Sequence, residues 1–311
     1  MTEENKMLQA NIEILKAIAK LRNGFLDALM LFLTEFGTEL VVIAVVCTLY
    51  WCANKKLAYR IGMIFFASGI LVQGLKVGFH IERPWVLDPT FEPVAAAKPD
   101  ATGYSFPSGH TQGAAALYGT LFTAWNKRWF KVICAAMIVT VAFTRLYLGV
   151  HTPLDVVVSA CVTLTCVYLF GKVVDALERG NSRDFTLCVI LSALAIGLCA
   201  FSFTMSATGV VAEEHINDCF KSGGAGLAFA LGWYLERRCL NFDVRTDKLW
   251  KQIVKMVVGV GITLALKSGV KLIAPDNLIV DFLRYFLTVF WVMYVFPMLF
   301  NRFSVSAEKA V

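Results

Sequence analysis

The sequence predicts an all-α, polytopic membrane protein. Of its 311 residues, 58% are hydrophobic and only 17% are charged, whereas a soluble domain carries about a quarter charged residues. Apolar runs close to the ~20 residues that a helix needs to cross a bilayer recur along the chain. Basic residues gather in every second loop between those runs, as cytoplasmic connections do.

Residues 1–23 are amphipathic. Leu8, Ile12, Leu15 and Ile18 recur at helical spacing, with Glu13, Lys16 and Lys20 on other faces. This predicts a helix lying in the interface plane, in a segment too charged for a cleavable signal peptide. Residues 25–36 are apolar around Asp27 and Glu35 and end at Gly37, which predicts a short half-buried helix. Residues 1–37 thus form an interfacial N-terminal segment. Spans follow at about 38–53, 57–79, 109–125, 130–148, 153–176, 185–207, 221–236, 252–273 and 279–301. The seventh is short and rich in glycine.

Loops after odd-numbered spans carry Lys55, Lys56 and Arg60, then Lys127, Arg128 and Lys131, then Arg179 and Arg183, then Arg237, Arg238, Arg245, Lys248 and Lys251. The opposite loops carry Asp88, Glu92 and Asp100, then Glu213, Glu214 and Asp218, then Asp276 and Asp281. The positive-inside rule places the first set in the cytoplasm, the N-terminus outside and the C-terminus inside. Lys267, Lys271 and Arg284 fall near the outer side and blur the last pair of spans. The net charge of +6 sets orientation and does not indicate nucleic acid. The nine cysteines lie mostly in apolar runs without a C-x-x-C pair, so they read as small apolar residues and not as a disulfide framework or zinc site.

The outer loop 80–106 holds Pro84, Pro89, Pro93, Pro99 and Gly103 and is too long for a plain connector; loops of this kind often act as lids. Its Trp85, Phe91, Tyr104 and Phe106 suit either an acyl or prenyl tail or anchorage at the interface. Gly69-Ile70 is echoed by Gly261-Ile262, and Phe106-x-Ser108-Gly109 by Phe220-x-Ser222-Gly223. The second copies run in reversed order and lack Arg-Pro and His, so they reflect chance similarity between glycine-rich spans.

Two of the four histidines sit in phosphate-handling contexts. Lys76 precedes Arg83-Pro84; Pro107-Ser108-Gly109-His110 opens the third span; Thr144-Arg145 precedes His151 and Asp155. The topology puts all of these on the outer side. Lys76, Arg83 and Arg145 supply the donors that a phosphate ester requires as charge spreads over its oxygens, and the arginine fork can bind two of those oxygens. The proline suits a helix start and the glycine a close backbone approach, so free N–H groups face the anion, with the Ser108 hydroxyl as another donor. His110 fits a general acid that protonates the leaving oxygen. His151 and Asp155 share a helix face at i, i+4, so the carboxylate can accept one imidazole proton while the other nitrogen attacks phosphorus.

These three blocks resemble the signature motifs of the type 2 phosphatidic acid phosphatase family, which includes glucose-6-phosphatase and vanadium haloperoxidases. The resemblance covers roughly residues 38–207 and is strongest from Lys76 to Asp155, with Thr144 where serine is commoner. It implies a six-span phosphatase core and a phosphohistidine mechanism without metal or other cofactor. His151 would be the nucleophile, Asp155 its orienter, and His110 the acid and then the base that activates water. Lys76, Arg83, Ser108, Gly109 and Arg145 would bind the phosphate. The implied partner is a lipid of the cell membrane: undecaprenyl diphosphate, phosphatidylglycerol phosphate or phosphatidic acid, or a single-chain lipid such as sphingosine phosphate.

Residues 208–311 lie outside the resemblance and read as a three-span extension. His215 with Glu213 and Glu214 reads as a solvated acidic loop, and His80 as a polar residue at a span end. Lys267 and Lys271 face either a lipid headgroup or acidic partners such as Asp276. Two other functions compete. Vanadate-dependent oxidation belongs to soluble members of the family. Lipid transport needs neither a nucleophile nor an acid, so the His110–His151–Asp155 set speaks against it.

Overall fold

The computed structural model describes residues 3–178, 183–244, 249–273 and 277–301, and no strand occurs among them. Arg179, Arg245, Lys248 and Asp276 of the loop-charge reading, and the Lys271 side chain, lie outside the described residues. The helices are α1 (Glu3–Ala19), α2 (Gly24–Thr34), α3 (Glu39–Thr48), α4 (Lys55–Phe79), the short α5 (Pro84–Leu87), α6 (Gly109–Ala124), α7 (Arg128–Tyr147), α8 (Pro153–Glu178), α9 (Asp184–Ala207), α10 (Asn217–Leu235), α11 (Leu249–Ile273) and α12 (Leu278–Phe290).

Local chemistry sets these boundaries. The side chains of Asn23, Asn54, Ser108 and Asn277 accept from the N–H groups of Leu26, Leu57, Thr111 and Val280, which starts α2, α4, α6 and α12. Pro153 opens α8, where its missing N–H leaves no bond unmade. α4 ends where His80 turns left-handed at φ 38° and its N–H bonds to the Lys76 carbonyl. Single π-helical turns carry α3 on to Ala53, α10 to Leu240 and α12 to Val295.

All nine apolar runs become helices, but they do not cross a membrane on equal terms. Among the described residues, six segments are long and apolar enough: Lys55–Leu87, Arg128–Tyr147, Pro153–Ala176, Asp184–Ala207, Leu249–Gly269 and Leu278–Asn301. Gly24–Gly37 and Glu39–Ala53 form a pair bent by 48°, a seventh span if taken together. α6, at 16 residues, and α10, at 19, are not in this set, and both are inner helices. α6 packs among α4, α7 and α8, and α10 among α4, α9 and α12. Their buried faces carry Thr111, Gln112 and Thr120, and Gly223, Gly224 and Gly226, the small and polar residues that let membrane helices pack closely. At Gly224 a β-carbon would lie 2.2 Å from the Phe282 carbonyl oxygen of α12. Val139, Val157, Ile196 and Val257 instead point outward and exposed, as lipid-facing side chains do.

At the end away from the motifs, the buried Glu236 accepts from Lys55 at 2.8 Å, from the Phe242 N–H at 3.0 Å and from the Tyr59 hydroxyl. This satisfied ionic network ties α4 to the end of α10.

One face of α1 packs on the protein: Ile12 and Leu15 are buried. Lys16 pairs with Asp88 at 2.7 Å, and Arg22 donates to the carbonyls of Tyr147 and Glu92. α1 therefore covers loop 80–106. Of the loop's aromatic residues, Phe91, Tyr104 and Phe106 are buried and Trp85 is half-buried. Asp27, anomalous in an apolar run, accepts from the Tyr147 hydroxyl at 2.8 Å.

Candidate active site

The ends of four helices meet at one pole of the bundle. The last turn of α4 supplies Lys76, which is buried. Four residues past the helix, Arg83 precedes Pro84 and is also buried. Its guanidinium is held by three backbone carbonyls: Nε donates to Gly103 at 3.0 Å, Nη2 to Thr102 at 2.6 Å and Nη1 to Val150 at 2.9 Å. Nη1 also lies 3.2 Å from His151 Nε2.

His151 is buried between α7 and α8. The chain reaches it through Gly149, at φ 75°, where a β-carbon would meet Arg22 Nη2 at 2.5 Å and the Phe91 ring at 2.8 Å. His151 Nδ1 faces Asp155 Oδ2 at 3.4 Å. That carboxylate oxygen also accepts from the Ser105 hydroxyl at 2.5 Å and the Thr152 N–H at 2.8 Å. Burial first, then the charges of Arg83, Arg145 and Lys76, hold His151 well below the ordinary imidazole range, with the Ser105 backbone acting in the opposite sense.

Ser108 caps α6, so its hydroxyl is an acceptor for the Thr111 N–H and hydroxyl at 3.4 and 3.0 Å. The Ser108 N–H donates to the Asp155 carbonyl at 3.2 Å, and its own carbonyl accepts from Ser159 at 2.6 Å, locking the start of α6 onto α8. Gly109 and His110 begin the helix with their first turn toward the site. Arg145, from the last turn of α7, is buried and donates to Thr34 at 2.8 Å. His110 lies within electrostatic reach of Arg145, His151, Lys76 and Arg83. A cavity of about 520 Å³ opens on Gly109 and His110.

All eight residues singled out from sequence thus gather at one pole. Sequence reasoning missed Ser105 and Thr152, which share the Asp155 carboxylate with His151. Ser105 stands three residues before Ser108, a spacing without a signal of its own. It also missed Thr34, which lies 111 positions from Arg145 and has no signature. The remaining histidines sit nearby: the His80 and His215 rings lie 6.1 and 4.4 Å from Tyr104. His215 is therefore packed against the loop and not merely solvated. Lys267 pairs with Glu39 at 2.5 Å, which decides its choice in favour of an acidic partner.

The family model described as PAP2 superfamily matches residues 57–179, and one described as PAP2 superfamily phosphatase, transmembrane extension, matches residues 220–309. An undecaprenyl-diphosphatase of Sulfolobus acidocaldarius is 31% identical over 153 residues, 47% of this chain and 70% of that one. Undecaprenyl-diphosphatase BcrC of Bacillus subtilis is 30% identical over 177 residues, 54% of this chain and 86% of that one. Sphingosine-1-phosphate phosphatase 1 of Rattus norvegicus is 24% identical over 270 residues, 82% of this chain and 62% of that one.

Proposed function

The chain belongs to the PAP2 superfamily of membrane lipid phosphatases, and we propose that it hydrolyses the phosphate monoester or diphosphate of a membrane lipid through a phosphohistidine on His151. One observation carries this reading: His151 Nε2 contacts Arg83, while Nδ1 faces Asp155. A guanidinium has donors only, so Nε2 presents its lone pair and the ring proton sits on Nδ1. In the proposed mechanism Nε2 exchanges this Arg83 contact for phosphorus when the substrate phosphate is in place.

In the first step Nε2 bonds to phosphorus as the bond to the lipid oxygen breaks, and His110 gives that oxygen a proton. Asp155 stabilises the positive ring through Nδ1–H. In the second step His110 takes a proton from water, whose oxygen attacks phosphorus and releases inorganic phosphate and free His151. Lys76, Arg83, Arg145, the Ser108 hydroxyl and the first amides of α6 neutralise the phosphoryl oxygens throughout. The steps use side chains and water alone. Undecaprenyl diphosphate is the first substrate to test, given the relatives of 30% and 31% identity. Sphingosine phosphate follows, because that relative aligns over 82% of this chain. Loop charge supports a site on the outer face of the cell membrane.

The test is inorganic phosphate release from purified protein in detergent, with excess chelator, on a panel of prenyl diphosphates, glycerophospholipid phosphates and sphingosine phosphate. The proposal expects release from at least one lipid, unchanged by chelator and lost in His151→Ala. Release that survives His151→Ala contradicts the nucleophile, and no release from any lipid favours headgroup transport. A cysteine replacing Lys98 should react with an impermeant thiol reagent from outside intact cells; protection there contradicts the outer-face assignment.

A further inference from the structure

The C-terminal helices reach the phosphate site. Asp218 and Lys221, on the first turns of α10, line the same cavity as Gly109 and His110. Asp218 Oδ2 accepts from the Thr102 hydroxyl at 2.7 Å, and Oδ1 accepts from Lys221 at 2.9 Å. Asp218 also interacts electrostatically with Arg83 and Lys76. Next to it, the His215 ring packs at a tilt on Tyr104 and Cys219 Sγ lies 3.8 Å from the Gln73 carbonyl of α4.

Thr102 is the link. Its carbonyl and that of Gly103 are two of the three that hold the Arg83 guanidinium. Neither residue belongs to a helix, and Gly103 turns through φ 59°. A stretch of this kind owes its position to its contacts and not to a backbone ladder. The Thr102 side-chain hydroxyl is anchored on Asp218, which belongs to the extension.

We infer that Asp218 is a positioning residue of the phosphate site: through Thr102 it fixes the carbonyls that orient Arg83. The extension is then a working part of the site and not an accessory to it. This rests on reading Arg83 as a phosphate ligand.

Orthovanadate binding to the full chain in detergent, followed by titration calorimetry, reads the anion site without turnover. Asp218→Ala is expected to weaken binding about ten-fold, the scale of one charge-assisted hydrogen bond. Asp218→Asn keeps an acceptor for Thr102 and should stay within about three-fold of the parent. Thr102→Val should reproduce the alanine loss, and combining it with Asp218→Ala should add nothing, because both break one link. Should Asp218→Ala fail to fold, Thr102→Val against Asp218→Asn decides the matter. Unchanged binding in Asp218→Ala or Thr102→Val, losses that multiply, or a parent protein that takes up no vanadate each overturn the inference. A parent protein that shows this binding pattern but releases phosphate from no lipid defeats the proposed function and leaves the positioning role intact.

Discussion

Arg83 Nη1 donates to His151 Nε2 across 3.2 Å. Because the same guanidinium is gripped by the carbonyls of Thr102, Gly103 and Val150, its position is set by backbone and not by the ring it touches. Arg83 is thus a fixed reference against which the imidazole is oriented. Asp155 Oδ2 lies 3.4 Å from Nδ1 on the opposite side of the ring, and a guanidinium, which has donors only, turns the lone pair of Nε2 toward Arg83.

Arg83→Lys keeps the charge but cannot reach three carbonyls and an imidazole nitrogen at once. It should lower kcat/KM by roughly 10²–10³-fold, the scale of losing an oriented donor in a catalytic site. Steady-state phosphate release in detergent checks this. Near-parental activity would mean that only charge matters at this position.

The pH profile follows from His151. In the proposed mechanism its attack needs the unprotonated ring, and burial with three neighbouring cations holds its pKa well below the ordinary imidazole range. The acid limb of kcat/KM should therefore lie below about pH 6.5, the ordinary imidazole value. Activity should persist as pH falls through that value and disappear only at lower pH. A limb at or above it contradicts the assigned state of the nucleophile.

The Asp155 carboxylate is shared among Nδ1 of His151, Ser105 and the Thr152 amide. Asp155→Asn should cost kcat roughly 10²–10⁴-fold, as loss of the orienting acid does elsewhere. Ser105→Ala removes only one support and should cost about ten-fold, the scale of an outer-shell contact. Equal losses in both variants would mean that Ser105 acts directly on the substrate.

Gly149→Ala tests the turn that delivers His151. A β-carbon there meets Arg22 and the Phe91 ring in a left-handed residue, so the variant should lose about 1–3 kcal/mol of stability. A lower melting temperature in detergent, with activity falling alongside, is the expected result. A parental melting curve would show that the turn relaxes freely.

Much of this was legible in the sequence, for local reasons. Asparagine caps, Pro153 and glycine turns fall within a few residues of helix ends, so the apolar runs mark the helices closely. The three motif blocks are short, and each sits at the end of a helix. What the sequence hid depends on chain crossings. Nothing local links Thr34 to Arg145 or Asp218 to Thr102, because tertiary packing alone brings them together. α6 and α10 are rich in small and polar residues, but only their packing among α4, α7, α8, α9 and α12 marks them as inner helices. Amphipathicity likewise does not reveal whether α1 buries Leu15 against lipid or against its own protein.

The most direct test of the central claim is to trap the covalent intermediate. In His110→Ala, p-nitrophenyl phosphate supplies a leaving group that needs no acid, while the step that needs a base is slowed. After a neutral or alkaline quench, mass spectrometry should find phosphate on His151 and on no other residue. Phosphate on another side chain, or bursts of p-nitrophenol with no phosphorylated protein, would contradict it.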